Sequence, residues 1–106
     1  VKAAGGVPVL AHPGAYDPKD RTILDRPGFL DGLVALGIEG LEAYANENTP
    51  AVTEYLLAYA RERNLLITGG SDCHGTFVAG RRLGHPQVPD ACLPPLLARL
   101  RPGSYV

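Results

Sequence analysis

Apolar positions along the chain fall into short runs of two kinds, and their alternation predicts strands separated by helices. Val7-Pro8-Val9-Leu10-Ala11 is a continuous apolar run between Gly5-Gly6 and His12-Pro13-Gly14. That is the pattern of a strand buried on both faces of a parallel sheet, with its proline near the start. Leu30, Leu33 and Val34 stand at i, i+3 and i+4, which predicts a short helix opened by Pro27 and closed by Gly37. Ile38 to Tyr44 alternates and runs into polar Asn46-Glu47-Asn48, a second strand in which Glu42 and Tyr44 share a face. Thr49 can cap a helix that Pro50 begins, and Val52, Tyr55, Leu56, Tyr59 and Ala60 form its buried stripe as far as Arg63-Asn64. Leu65-Leu66-Ile67-Thr68 predicts a third strand, followed by a polar turn from Gly69 to Gly75. Pro86 to Pro95 reads as a proline-broken connection, and Leu96, Leu97 and Leu100 predict a last helix before Pro102-Gly103.

Strand, helix, strand, helix, strand, helix in that order predicts βαβ crossovers and an α/β fold built on a parallel sheet. His12 follows the first strand, and Asp72 and His74 follow the third. All three would then emerge at the carboxyl ends of parallel strands, the edge where α/β folds place their ligands.

Composition narrows the classes. At 106 residues the chain has room for one small domain or one piece of a larger one, and we read residues 1–106 as a single unit. Hydrophobic residues make up 45% and charged residues 20%, which favours a folded, water-soluble chain. Ten basic side chains against eleven acidic ones give a net charge of -1, so no broad basic face is available for nucleic acid. No apolar run reaches the ~18 residues that span a bilayer, so no membrane role is expected. Cys73 and Cys92 have no CxxC spacing, which favours a reducing, cytoplasmic setting. The chain contains no methionine and opens on Val1 to Gly6, which reads as the end of a helix. A piece of a longer protein is therefore expected.

Asp72 and His74 are one residue apart, so in an extended or turn segment they project to one side while Cys73 points elsewhere. Carboxylate and imidazole donors suit manganese, iron or zinc, and His12 offers a third ligand from the same edge. A Ser-Asp turn with an exposed histidine is the plainer reading of the same residues. Arg81 and Arg82 are candidates to bind a phosphate through the guanidinium fork, or form a solvated loop. Glu42 is a candidate to orient a ligand histidine, or a surface carboxylate. His85 reads as a loop residue, Tyr55 and Tyr59 as core, and Cys73, with no base placed beside it, as no nucleophile.

Three segments together resemble a known family. Gly5-Gly6-Val7-Pro8-Val9-Leu10-Ala11-His12-Pro13, Gly40-Leu41-Glu42-Ala43-Tyr44 and Thr68-Gly69-Gly70-Ser71-Asp72-Cys73-His74-Gly75 are similar to motifs of the PHP (polymerase and histidinol phosphatase) superfamily. Its branch of metal-dependent phosphoesterases, which includes nucleoside 3',5'-bisphosphate phosphatases, is the nearest in pattern. AHP followed about sixty residues later by GGSDCHG is more specific than either motif alone. The resemblance implies a distorted seven-stranded (βα) barrel of which this chain is the C-terminal portion. It implies that His12, Asp72 and His74 are catalytic metal ligands in a centre of two or three divalent ions. The implied activity is hydrolysis of a phosphomonoester, a nucleotide being one candidate, by metal-activated water. A noncatalytic PHP-like module, as attached to replicative polymerases, is the alternative. The family's HxH motif has no counterpart in this sequence, so the implied partners are a small phosphorylated substrate and the upstream half of the same barrel. Open strand edges and the apolar face of Val7, Val9 and Ile67 add an expected homo-oligomer, formed by face pairing or by exchange of the terminal helix.

Overall fold

A computed structural model describes residues 1–15 and 23–100, and these form three parallel strands with helices between and after them. Strands β1 (Val9–Leu10), β2 (Gly40–Ala45) and β3 (Leu66–Gly70) lie side by side in that order, all parallel. Helix α1 (Phe29–Ala35) carries the crossover from β1 to β2, α2 (Pro50–Arg63) carries the one from β2 to β3, and α3 (Leu93–Arg99) packs against β3. The expected α/β class with a parallel sheet is what forms, in three strands among the described residues. No helix among them is long and apolar enough to cross a membrane.

Helix α2 follows its sequence signals closely. Thr49 Oγ1 accepts a hydrogen bond from the Val52 backbone N–H at 3.3 Å, and Asn64 ends the helix in the left-handed conformation. Its stripe of Val52, Leu56, Tyr59 and Ala60 is buried against Leu41 and Ala43 of β2, with Leu30 of α1 and Ile23 completing the core. Leu41, Ala43 and Ala45 are buried while Glu42 and Tyr44 are half-buried, the alternation read from the sequence.

Several boundaries differ for identifiable reasons. Strand β1 is reduced to two residues, Val9 and Leu10, in register with Gly40 and Leu41. Helix α1 starts at Phe29 after Gly28 (φ 86°) rather than at Pro27, and Gly37 (φ 108°) follows its end as expected. Gly69 and Gly70 are strand, not turn, because Tyr44 and Ala45 pair with them. Glycine is needed at 69, where an added Cβ would lie 2.6 Å from both Tyr44 Cβ and Val88 Cγ2. Pro94 and Pro95 lie inside the first turn of α3 and do not break the chain before it, since first-turn residues have no helical partner for an N–H. Val1 to Gly6 holds one 3-10 turn, Lys2–Ala4, closed by Gly5 at φ 87°. Pro102-Gly103 lies outside the described residues.

A register shift separates the two halves of β2. Glu42 pairs with Thr68 but Tyr44 pairs with Gly69, leaving Ala43 as an extra residue. Such a bulge leaves the extra residue without a strand partner. Here the Ala43 carbonyl instead accepts Asn48 Nδ2 at 2.9 Å and Thr53 Oγ1 at 3.2 Å.

Candidate metal centre

His12 stands two residues beyond β1, and Ser71-Asp72-Cys73-His74 begins at the residue after β3. Because the strands are parallel and adjacent to β2, both segments leave the same edge of the sheet. The structure brings the three residues together there. His12 Nε2 is 3.8 Å from Asp72 Oδ2, and His74 Nε2 is 3.9 Å from Asp72 Oδ1. One carboxylate thus faces an imidazole with each of its oxygens.

Local backbone geometry enforces this arrangement. His12 (φ 26°) and Asp72 (φ 50°) both adopt the left-handed region, which costs a non-glycine residue energy and persists only where the surroundings over-determine it. The Cys73 N–H donates to Ser71 Oγ at 3.2 Å, and Asn46 Nδ2 donates to the Ser71 carbonyl at 3.0 Å, tying that turn to the end of β2. His74 Nδ1 lies 2.6 Å from the Asp72 carbonyl. A carbonyl only accepts, so Nδ1 is the donor, and in the neutral imidazole the lone pair is then on Nε2, on the side of the Asp72 carboxylate.

Asn48 does the equivalent for His12. Its Oδ1 accepts the Gly14 N–H at 2.8 Å, and its Nδ2 donates to the carbonyls of Glu42 at 3.0 Å and Ala43 at 2.9 Å. The side chain is buried with both polar atoms satisfied. Gly14 approaches so closely that an added Cβ would sit 2.6 Å from Asn48 Oδ1. The half-buried Glu42 carboxylate accepts the His12 backbone N–H, so Glu42 steadies His12 through its main chain. Burial raises the Glu42 carboxyl above its ordinary range, and the charge of His12 and that hydrogen bond pull the other way.

The two arginines are divided. Arg81 Nη1 pairs with Asp72 Oδ2 at 2.5 Å, and Nη2 lies 2.5 Å from Glu47 Oε1. Arg82 is exposed. His85 is also exposed and lines a cleft of about 600 Å³ with Gly70, Ser71, Gly84, Gln87 and Asp90, beside the same strand end. Asn48 and Glu47 are absent from the sequence-derived site. Their only signal there is a polar stretch at the carboxyl end of a strand, and the edge on which it falls is known only once the sheet is assembled.

Two imidazoles and a carboxylate are a donor set suited to manganese, iron or zinc, and the lone pair of His74 Nε2 is free for such an ion. The residues fit one side of a metal centre. They do not close it alone, for among the described residues no group of three His, Cys, Asp or Glu side chains is arranged to hold an ion.

No family model matches the chain. It is 32% identical over 95 residues to a 3',5'-nucleoside bisphosphate phosphatase of Chromobacterium violaceum, covering 89% of this chain and 32% of that protein. It is 38% identical over 73 residues to a phosphoribosyl 1,2-cyclic phosphate 1,2-diphosphodiesterase of Eggerthella lenta, covering 69% of this chain and 25% of the relative. A crystal structure from Bifidobacterium adolescentis, described as a candidate metal-dependent phosphoesterase, is 39% identical with a TM-score of 0.75, covering 94% of this chain and 34% of that one. The chain therefore spans about a quarter to a third of the length of the proteins it matches.

Proposed function

We propose that this chain, similar to part of several phosphoesterases, supplies one side of a PHP-like metal-dependent phosphoesterase site, as the C-terminal portion of a seven-stranded barrel. The convergence of His12, Asp72 and His74 on one sheet edge carries this reading, and the likeness to two phosphate-ester hydrolases supports it. In this proposal His12 Nε2, Asp72 Oδ1 and His74 Nε2 hold divalent metal, and the remaining ligands come from sequence outside these 106 residues. A bound divalent ion supplies an acidified water and positive charge for the phosphoryl oxygens. The chain's own residues do the rest. Asp72 faces each imidazole with one carboxylate oxygen, His74 donates from Nδ1 to the Asp72 carbonyl and so presents Nε2, and Arg81 stands beside Asp72 with donors for a phosphoryl oxygen. Arg82, exposed on the next residue, is the second phosphate-binding candidate of this proposal. The cleft lined by Ser71, His85 and Gln87 would take the organic part of the ester, a nucleotide being the substrate class that the Chromobacterium relative suggests.

Manganese binding and phosphomonoester hydrolysis, measured on the full protein with and without Asp72→Asn, test this reading. Loss of both in the variant is expected. A variant that binds manganese and turns over like wild type would overturn it.

A further inference from the structure

We propose that Glu47 is a positioning residue that clamps Arg81, and that Arg81 in turn fixes the Asp72 carboxylate. Glu47 follows directly on β2, and its side chain is only 11% exposed. Both carboxylate oxygens are shut off from solvent, and neither has a hydrogen-bond donor in line among the described residues. A carboxylate so placed needs a compensating charge, because removing its water is costly and is offset only by a close cation. That cation is Arg81, whose Nη2 lies 2.5 Å from Glu47 Oε1.

The other arm of the same guanidinium reaches Asp72 twice, with Nη1 2.5 Å from Oδ2 and 3.4 Å from the backbone carbonyl. A planar fork held at both ends has little freedom to rotate. Its grip on Oδ2 leaves Oδ1, the oxygen facing His74 Nε2, as the available donor. Glu47 therefore acts at a distance from the candidate ligands. It keeps the guanidinium in one orientation, and that orientation selects which Asp72 oxygen is offered. Hydrogen-bond partners of this kind typically change metal affinity by 10- to 100-fold when removed. The consequence for metal rests on the function proposed above, whereas the clamp itself does not.

The first measurement uses no metal. In wild-type protein the Arg81 guanidinium nitrogens, identified by their loss in Arg81→Lys, should give separate NMR signals because rotation about Nε–Cζ is arrested. In Glu47→Gln, which keeps the shape and removes the charge, they should merge. A freely rotating Arg81 in wild type, or one still arrested in the variant, would overturn the proposal. The second measurement titrates manganese. Glu47→Gln should weaken binding by about 10-fold, and Arg81→Lys, whose point charge cannot bridge both carboxylates, should weaken it similarly. In an Arg81→Met background, Glu47→Gln should have no further effect. An equal loss in both backgrounds would mean that Glu47 acts without Arg81, which refutes the relay. If wild type shows an arrested Arg81 but binds no manganese, the metal function fails and the clamp stands. Should Glu47→Gln not fold, Arg81→Lys carries the titration on its own.

Discussion

Replacing Asn48 with alanine removes three hydrogen bonds at the point where the loop bearing His12 is fastened to the sheet. The Gly14 N–H loses its acceptor, and the carbonyls of Glu42 and Ala43 lose a donor. Ala43 keeps Thr53 Oγ1, so its carbonyl remains satisfied. A neutral hydrogen bond contributes about 1 kcal/mol net, and a buried group left unpaired costs about 1 to 3 kcal/mol. Three lost bonds with two groups newly unpaired give a destabilisation of about 3 kcal/mol, a large share of the ~5 to 15 kcal/mol that holds a domain of this size. Urea unfolding of Asn48→Ala against wild type measures it, with the midpoint falling and the slope unchanged. The same variant should bind manganese more weakly at temperatures where it remains folded, since His12 hangs on the released loop. Asn48→Asp provides a second arm. Its carboxylate can still accept from Gly14 but faces two carbonyls without a donor, so it should be no better than alanine. A loss below about 1 kcal/mol in Asn48→Ala would refute the reasoning, because even the bonds alone, without unpaired groups, account for more than that.

Gly69→Ala should destabilise by about 1 to 3 kcal/mol, read from urea midpoints, because its Cβ would lie 2.6 Å from Tyr44 Cβ at the register shift. Burial first, and then the hydrogen bond to Asp31, push the Tyr59 phenol up to about 12. The folded state therefore holds this proton more tightly, and the associated stability is complete below pH ~10, the unfolded value, and is lost as pH rises towards 12. Ultraviolet titration of the phenolates checks this, and Tyr59→Phe should abolish the highest step. The 106 residues alone should show negligible phosphatase turnover with manganese, and brisk hydrolysis by the purified chain would show that no outside ligands are required. Sedimentation should find a dimer or larger assembly burying more than ~1,000 Å², and a monomer at high concentration would refute the expectation drawn from the open edges and the apolar face of Val7, Val9 and Ile67.

The alternation of strand-like and helix-like runs determined the α/β class, the parallel sheet and helix α2 before any coordinates. Those features rest on local physics: side-chain period, the capping hydroxyl of Thr49 and the left-handed Asn64 act within a few residues. His12, Asp72 and His74 were legible for the related reason that a parallel sheet puts every strand's carboxyl end on one edge. Tertiary structure decided what depends on pairing between distant segments. The bulge at Ala43 arises from the register of β2 on β3, and no local pattern encodes it. That bulge frees the Ala43 carbonyl that Asn48 takes, and Asn48 fastens Gly14, 34 residues away. Glu47 likewise reads as one carboxylate in a polar stretch until the fold buries it against Arg81. A sequence shows which groups are able to pair, but only the assembled sheet sets the distances over which a buried charge must find its partner.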